Sequence, residues 1–328
     1  MEKKIKAPRL RGKDFSYRYF HQCFIVAFTI AIILVMSIVN ESFRTIYNYG
    51  NVMNGAFALM LAAFGQMLVI LTGGIDISVG SMVTLGNCFC VYIMTQMQSV
   101  NGAILAIALT ILVGLAAGAL NGLFVAVFRL PAIIVTIATS AIFQGVALVL
   151  MPIPGGVVES SVAKALTQRL WRTVPMSFIF AVIAVVILAL VTNKTSFGYA
   201  LRAIGGSESA AYATGVKVTR TKLITYMLSG LFCALGGIYL SCRTASGDSS
   251  IGNTYTVYSI SATVVGGTLM TGAVGQAYGT ACGALIIYLV NNIINMLGIS
   301  THYQYACQGA ILIFALMIGS FETRTRER

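Results

Sequence analysis

The sequence predicts an all-α polytopic membrane protein of about ten transmembrane helices, with both termini in the cytoplasm. Three observations carry that expectation. Only 9% of the 328 residues are charged and 58% are hydrophobic, and the mean hydropathy is +0.87. A soluble globule covers its surface with about 25% charged residues, so a soluble enzyme, a secreted domain and a disordered chain are excluded. Apolar runs of roughly 20 residues, the length that spans a bilayer, recur along the chain. Lys and Arg are distributed unevenly about those runs.

The elements follow in order. A basic N-terminal tail, 1–21, carries Lys3, Lys4, Lys6, Arg9, Arg11, Lys13 and Arg18. The run from Cys23 to Val39 lacks a small-residue cleavage site and reads as an uncleaved first helix. Spans are predicted near 22–39, 51–72, 80–97, 103–127, 131–150, 175–193, 223–242, 257–271, 278–297 and 304–321, all within one permeation unit, 22–321. A short basic tail, 322–328, holds Arg324, Arg326 and Arg328. An even number of spans puts both tails on one side. That side collects 16 of the 21 Lys and Arg, against Arg44, Lys164, Arg169, Arg172 and Arg243 on the other, so it is the cytoplasmic one. With ten of the 21 cations in the tails, the net charge of +12 reflects membrane orientation and points to no nucleic acid.

Small residues suggest tight packing. Gly114, Gly118 and Gly122 fall four apart, as do Gly279 and Gly283, which lines one helix face for close backbone approach. The seven cysteines are odd in number, lie mostly in apolar runs and form no disulfide framework or CxxC pair. His21 and His302 stand near span ends, and Trp171 reads as an interface anchor. The chain has no GxxxxGK[ST], HExxH or GxSxG, so neither a nucleotide-binding loop nor a familiar catalytic motif is present.

Three segments stand out. Asp76 and Ser78 lie in GGIDISVGS, between two apolar runs; either they cap the next helix, or the glycines break the helix and expose polar groups to a translocation path. The inner loop 194–222 contains Arg202, the pair Gly205-Gly206, the N-cap candidate Ser207, Glu208 in a first helical turn, the small Ala210 and Ala211, and a C-terminal stop at Gly215. A third stretch, TVVGGTLMTGAVG, is again Gly-rich at a helix end.

Together GQMLVILTGGIDISVGS, GYALRAIGGSESAAYATGVKV and ISATVVGGTLMTGAVGQAYGT closely resemble the permease subunits of bacterial ATP-binding-cassette (ABC) sugar importers, the ribose-permease-like family. The resemblance runs from about residue 50 to 320. It departs from the family pattern at Thr256 and Tyr258, where many relatives carry acidic residues, and at Ser207. It implies a multi-pass protein of the bacterial inner membrane, surrounded by lipid and paired with a second copy or a sister permease. A cytoplasmic ABC ATPase would dock on the segment Arg202, Gly205, Gly206, Ser207, Glu208, Ala210, Ala211 and Gly215, and a periplasmic binding protein would deliver the sugar. This chain would bind no cofactor; ATP and Mg would sit on the ATPase.

The expected cargo is a monosaccharide or similar small polyol. Candidates for the path are polar or aromatic residues at membrane depth: Asn54, Phe64, Gln66, Asp76, Ser78, Asn87, Asn121, Gln144, Tyr258 and Asn291. For each, interhelical hydrogen bonding is the competing role. A nucleoside or branched-chain amino acid permease is the nearest alternative, although an amino acid would demand counter-charges this chain hardly has. An ion-coupled secondary transporter is the more distant one.

Overall fold

The computed structural model describes residues 12–170 and 173–298, and beyond them Tyr303, Ala306, Gly309, Ala310 and Ile313; up to residue 24 it describes the backbone alone. The first eleven residues, the C-terminal tail, His302, Trp171 and Arg172 lie outside the described residues, as does the tenth predicted span but for those single positions. The elements are α1 (Gly12–Val39), α2 (Ile46–Leu71), α3 (Val79–Met97), α4 (Val100–Gly122), which runs on as a π-helix (Leu123–Val127), α5 (Ala132–Leu150), α6 (Ser160–Thr167), β1 (Arg169–Leu170), β2 (Val174–Pro175), α7 (Met176–Lys194), α8 (Ser196–Gly206), α9 (Glu208–Ala213), α10 (Val218–Thr244), α11 (Tyr255–Val265) and α12 (Ala277–Met296).

Among the described residues six helices are long and apolar enough to cross a membrane: α2, α4 with its π continuation, α5, α7, α10 and α12. The other predicted spans differ for separate reasons. In α3 the 19 residues include Ser81, Thr84, Asn87 and Thr95, which dilute its apolarity. The span predicted at 257–271 is corrected: α11 has only eleven residues, about 16 Å of helix, because the chain breaks at Gly266-Gly267. The loop 151–174 is partly built, with α6 and an antiparallel β1–β2 pair in the register Arg169↔Pro175.

The core forms around α2. Of its 26 residues 20 are buried, whereas α5 and α7 bury five and four of 19. Yet α5 and α7 are the more apolar. In lipid the outward face must match hydrocarbon, while the interior is held by small residues and internal polar contacts. Helix α2 packs against α10, α11 and α12, and α10 packs against α3 and α4.

The glycine rows do what their spacing suggests. A Cβ at Gly118 would run into the Tyr226 carbonyl, and one at Gly230 into that of Gly114, so α4 and α10 touch backbone to backbone. On α12, Gly279 and Gly283 meet the carbonyls of Gly266 and Ala262 in the same way. Gly118→Val is therefore expected to destabilise the fold by about 1–3 kcal/mol or more, because neither backbone can yield to a new side chain. Gly145 on α5 has open space around it, so Gly145→Val should leave the thermal midpoint in detergent unchanged. Equal midpoints for the two variants would show that α4 and α10 do not pack this closely.

Candidate functional site

Three helices end in the same way. At α2 the Gly73 N–H donates to the Ile70 carbonyl (2.8 Å) and the Gly74 N–H to that of Val69 (3.2 Å), with Gly73 at φ +80°. At α9 the Gly215 N–H donates to Tyr212 (3.0 Å) and the Val216 N–H to Ala211 (3.0 Å), with Gly215 at φ +86°. At α11 the Gly267 N–H donates to Val264 (2.9 Å) and the Thr268 N–H to Thr263 (3.1 Å), with Gly267 at φ +84°. Each is a Schellman stop, whose left-handed residue is glycine because a Cβ there would crowd the next carbonyl. The glycines of the three sequence motifs thus include three helix stops.

The three motifs also meet. The Ala273 N–H donates to the Leu71 carbonyl (3.1 Å), and a Cβ at Gly205 would fall on both the Leu71 carbonyl and the Ala273 nitrogen. Gly272, at φ +93°, lies against the Gly205 backbone and the Gly73 nitrogen. Arg202 clamps this junction: its guanidinium donates to the carbonyls of Ala273 (3.3 Å) and Gly275 (3.1 Å) and to Asn193 Oδ1 (2.8 Å). Beyond it Ser207 caps α9, its Oγ accepting from the Ala210 N–H (3.3 Å), and Glu208 pairs with Lys222 of α10. Ala211 is buried against Ile204 and Val218, while Ser209, Ala210 and Tyr212 face outward.

From this junction the chain turns back into the bundle. Gly74 passes beside Val69 and the Tyr226 hydroxyl. Asp76, fully buried, then meets α10: Ser229 Oγ donates to its Oδ2 (3.3 Å). Ser229 stands 11 residues from the start of α10 and 15 from its end, about 16 and 22 Å along the axis. The carboxylate therefore lies near the middle of a membrane-length helix. Its Oδ1 accepts from the Ser78 N–H (2.9 Å) and Ser78 Oγ (2.6 Å), and Ser78 Oγ in turn accepts from Asn121 Nδ2 (2.8 Å).

Non-helical backbone at this depth needs partners, because no water supplies them. Hydroxyls from distant helices provide them. Thr136 Oγ1 on α5 accepts from the Ile77 N–H (3.0 Å); Thr256 Oγ1 on α11 accepts from the Gly80 N–H (3.1 Å) and donates to the Ile77 carbonyl (3.2 Å). The segment 72–80 is a re-entrant turn held by α4, α5, α10 and α11. Asp76 is no simple helix cap, since it binds α10 as well as the turn before α3.

The other predicted path residues do not join this cluster. Asn54 accepts from Ser177 Oγ (2.6 Å) and Tyr239 (3.2 Å). Asn87 holds the 245–253 loop, donating to the Ser246 carbonyl (3.3 Å) and accepting from the Asp248 N–H (2.8 Å), and Gln144 donates to the Ser249 carbonyl of the same loop (2.6 Å). Phe64 is a core residue, edge-on to Phe232 at 5.9 Å. Gln66 is fully buried and neither end of its amide has a hydrogen-bond partner. Tyr258 is half-buried against the core, and Asn291 is buried on α12. Sequence reasoning missed Thr136, Tyr226 and Ser229. Single hydroxyls on apolar helices carry no signal of their own, since most simply bond to a carbonyl one turn back.

Comparisons with known proteins agree on one group. The family described as "Branched-chain amino acid transport system / permease component" matches residues 48–316. The ribose import permease protein of Bacillus subtilis (strain 168) is 36% identical over 290 residues, 88% of this chain and 89% of that protein. The D-allose transport system permease protein of Escherichia coli (strain K12) is 28% identical over 96% of this chain and 97% of its own length. The L-arabinose transport system permease protein of the same organism is 31% identical over 81% and 80%. No solved structure matches the chain.

Proposed function

This chain belongs to the branched-chain amino acid transport system / permease component family, and on that footing we propose that it is the membrane-spanning permease of an ABC importer carrying a monosaccharide or similar small polyol. It is a multi-pass protein of the bacterial inner membrane and a transport component rather than an enzyme. Membership implies an ATPase and a substrate-binding protein as partners. In this reading ATP and Mg stay on the ATPase, two permeases pair, ten spans cross the membrane, and the α8–α9 end faces the cytoplasm.

A single observation carries the mechanism: Gly205, Leu71 and Ala273 meet at one junction, from which the re-entrant turn leads to mid-membrane. Force applied to α8 and α9 by ATPase closure reaches α2 and the 271–275 loop directly, because Arg202 binds that loop. It reaches the bundle centre through residues 72–80, which Asp76 fastens to α10. The motion is a rigid-body tilt of packed helices, opening the path to one side and then the other.

A neutral cargo suits the interior. Asp76 is the only charged side chain buried among the described residues, and it is turned into the subunit's own hydrogen bonds. An amino acid's carboxylate and ammonium would find no matching pair there. The test is uptake in proteoliposomes containing the permease, its neighbouring ATPase and binding protein. Radiolabelled ribose, allose or arabinose should enter only with internal ATP and external binding protein. ATP-independent uptake driven by an ion gradient would overturn the importer reading, and uptake of leucine but of no sugar would overturn the cargo.

A further inference from the structure

The Asp76 cluster holds more oxygen than its internal hydrogen bonds use. Asn121, fully buried, gives its Nδ2 to Ser78 Oγ, yet its Oδ1 has no partner. The Tyr226 hydroxyl, in a residue 1% exposed, also lacks a partner, and it stands beside Gly74, two residues before Asp76. Among the described residues no Lys, Arg or His pairs with Asp76. A lone carboxylate in a dry interior is costly unless something neutralises it.

We propose that Asp76, Ser78, Asn121, Tyr226 and Ser229 form a binding nest for one resident monovalent cation, and that sodium is the ion it takes. The donor atoms are all oxygens: two of the carboxylate, three hydroxyls and one amide. One negative charge calls for one positive charge; a divalent ion would leave the interior charged. Three groups meet the carboxyl oxygens, the Ser78 N–H, Ser78 Oγ and Ser229 Oγ. A proton on Asp76 would be taken up by Ser229 Oγ, which accepts as well as donates, but it would leave the Asn121 oxygen without a partner. A cation instead uses the lone pairs of the hydroxyls and the orphan Asn121 oxygen together. The unwound chain at 72–78, between two helix ends, is the kind of backbone beside which sodium ions are held in membrane proteins. The ion is a fixed part of the re-entrant turn, binding it to α4 and α10, and is separate from any coupling to transport.

The test uses the purified full-length chain in detergent, titrated with sodium, potassium or choline chloride at constant ionic strength. Binding of radioactive sodium should saturate at one ion per chain, and the thermal midpoint should climb with sodium concentration. Asn121→Ala removes the orphan oxygen but keeps the carboxylate, and should weaken sodium binding roughly tenfold or more. Asp76→Asn should abolish it; if that variant does not fold, Asn121→Ala decides. A wild-type midpoint equal in sodium and choline overturns the proposal, as does a sodium affinity unchanged by Asn121→Ala. A midpoint that rises only on acidification, with or without sodium, assigns the role to a proton. An equal response to potassium overturns the choice of sodium. No ATPase or sugar enters the measurement, so its failure leaves the transport reading untouched.

Discussion

Asp76→Asn is expected to cut ATP-driven uptake by about tenfold or more while the protein still reaches the membrane. The substitution preserves shape but turns one acceptor oxygen into a donor. Oδ1 receives two hydrogen bonds and Oδ2 one, so the amide turns its nitrogen to Ser229, whose hydroxyl reverses to accept it, and all three contacts lose the carboxylate's charge. A hydrogen bond to a charged group contributes about 1.5–3 kcal/mol, and 1.4 kcal/mol is a factor of ten in rate. The fold should survive, because the packing of α2 against α10 and α12 does not pass through Asp76 and the turn keeps its contacts to Thr136 and Thr256. What fails is transmission: the junction at Leu71 would move without carrying α10. Ser229→Ala, which removes only the 3.3 Å contact, should have a smaller effect in the same direction. Uptake in proteoliposomes, normalised to monodisperse protein by size exclusion, gives the answer. Wild-type uptake with wild-type yield would end the assignment of Asp76. Lost yield with normal specific uptake would reduce it to a structural role.

Asp76 also shows where sequence reading stops. Its neighbourhood of glycines marks a helix break, and that much is legible, because Gly73 must be left-handed for α2 to end. Its depth is not legible. Hydropathy cannot distinguish a turn at the membrane surface from one that re-enters, since both look like a short polar gap between apolar runs. The difference lies in Thr136, Ser229 and Thr256, 60 to 180 residues away, whose hydroxyls replace water. The same limit applies to α11. Residues 257–271 are apolar enough to read as one span, but the Gly267 stop comes after eleven helical residues and a local average hides it. Arg202 is legible only as a member of the segment expected to dock the ATPase, and its partners within the chain, the carbonyls of Ala273 and Gly275, have no side-chain signature. The three motifs could be recognised by their order along the chain. That Gly205, Leu71 and Ala273 touch follows only from the three-dimensional path.

Ala210→Arg is expected to abolish co-purification of the ATPase and binding-protein-stimulated ATP hydrolysis, with the thermal midpoint of the permease unchanged. Ala210 and Ala211 are adjacent, about 100° apart on α9, and the structure separates them. Ala211 is 3% exposed and packs on Ile204 and Val218, so Ala211→Arg forces a charge into the segment's own small core and should lower its stability as well. Ala210 faces outward beside Tyr212, which is 73% exposed. An aromatic ring left in solvent on a six-residue helix of small residues is the natural anchor for a groove on a partner, and such anchors contribute about 2 kcal/mol or more. A long cation at Ala210 would prevent the close approach that the small side chains permit, at about 1–3 kcal/mol of overpacking. Tyr212→Ala should therefore reproduce the ATPase loss by removing the anchor instead of blocking it. Glu208→Ala should do less, because Glu208 is engaged by Lys222 within the chain, and a partly exposed pair of this kind contributes at most about 1 kcal/mol. The decisive measurement is ATPase binding by the detergent-solubilised permease alongside its thermal midpoint. If Ala210→Arg and Tyr212→Ala both bind the ATPase as the wild type does, the outer face of α9 is not the docking surface. Loss of binding together with a lowered midpoint in Ala210→Arg would show instead that Ala210, like Ala211, is part of the segment's own packing.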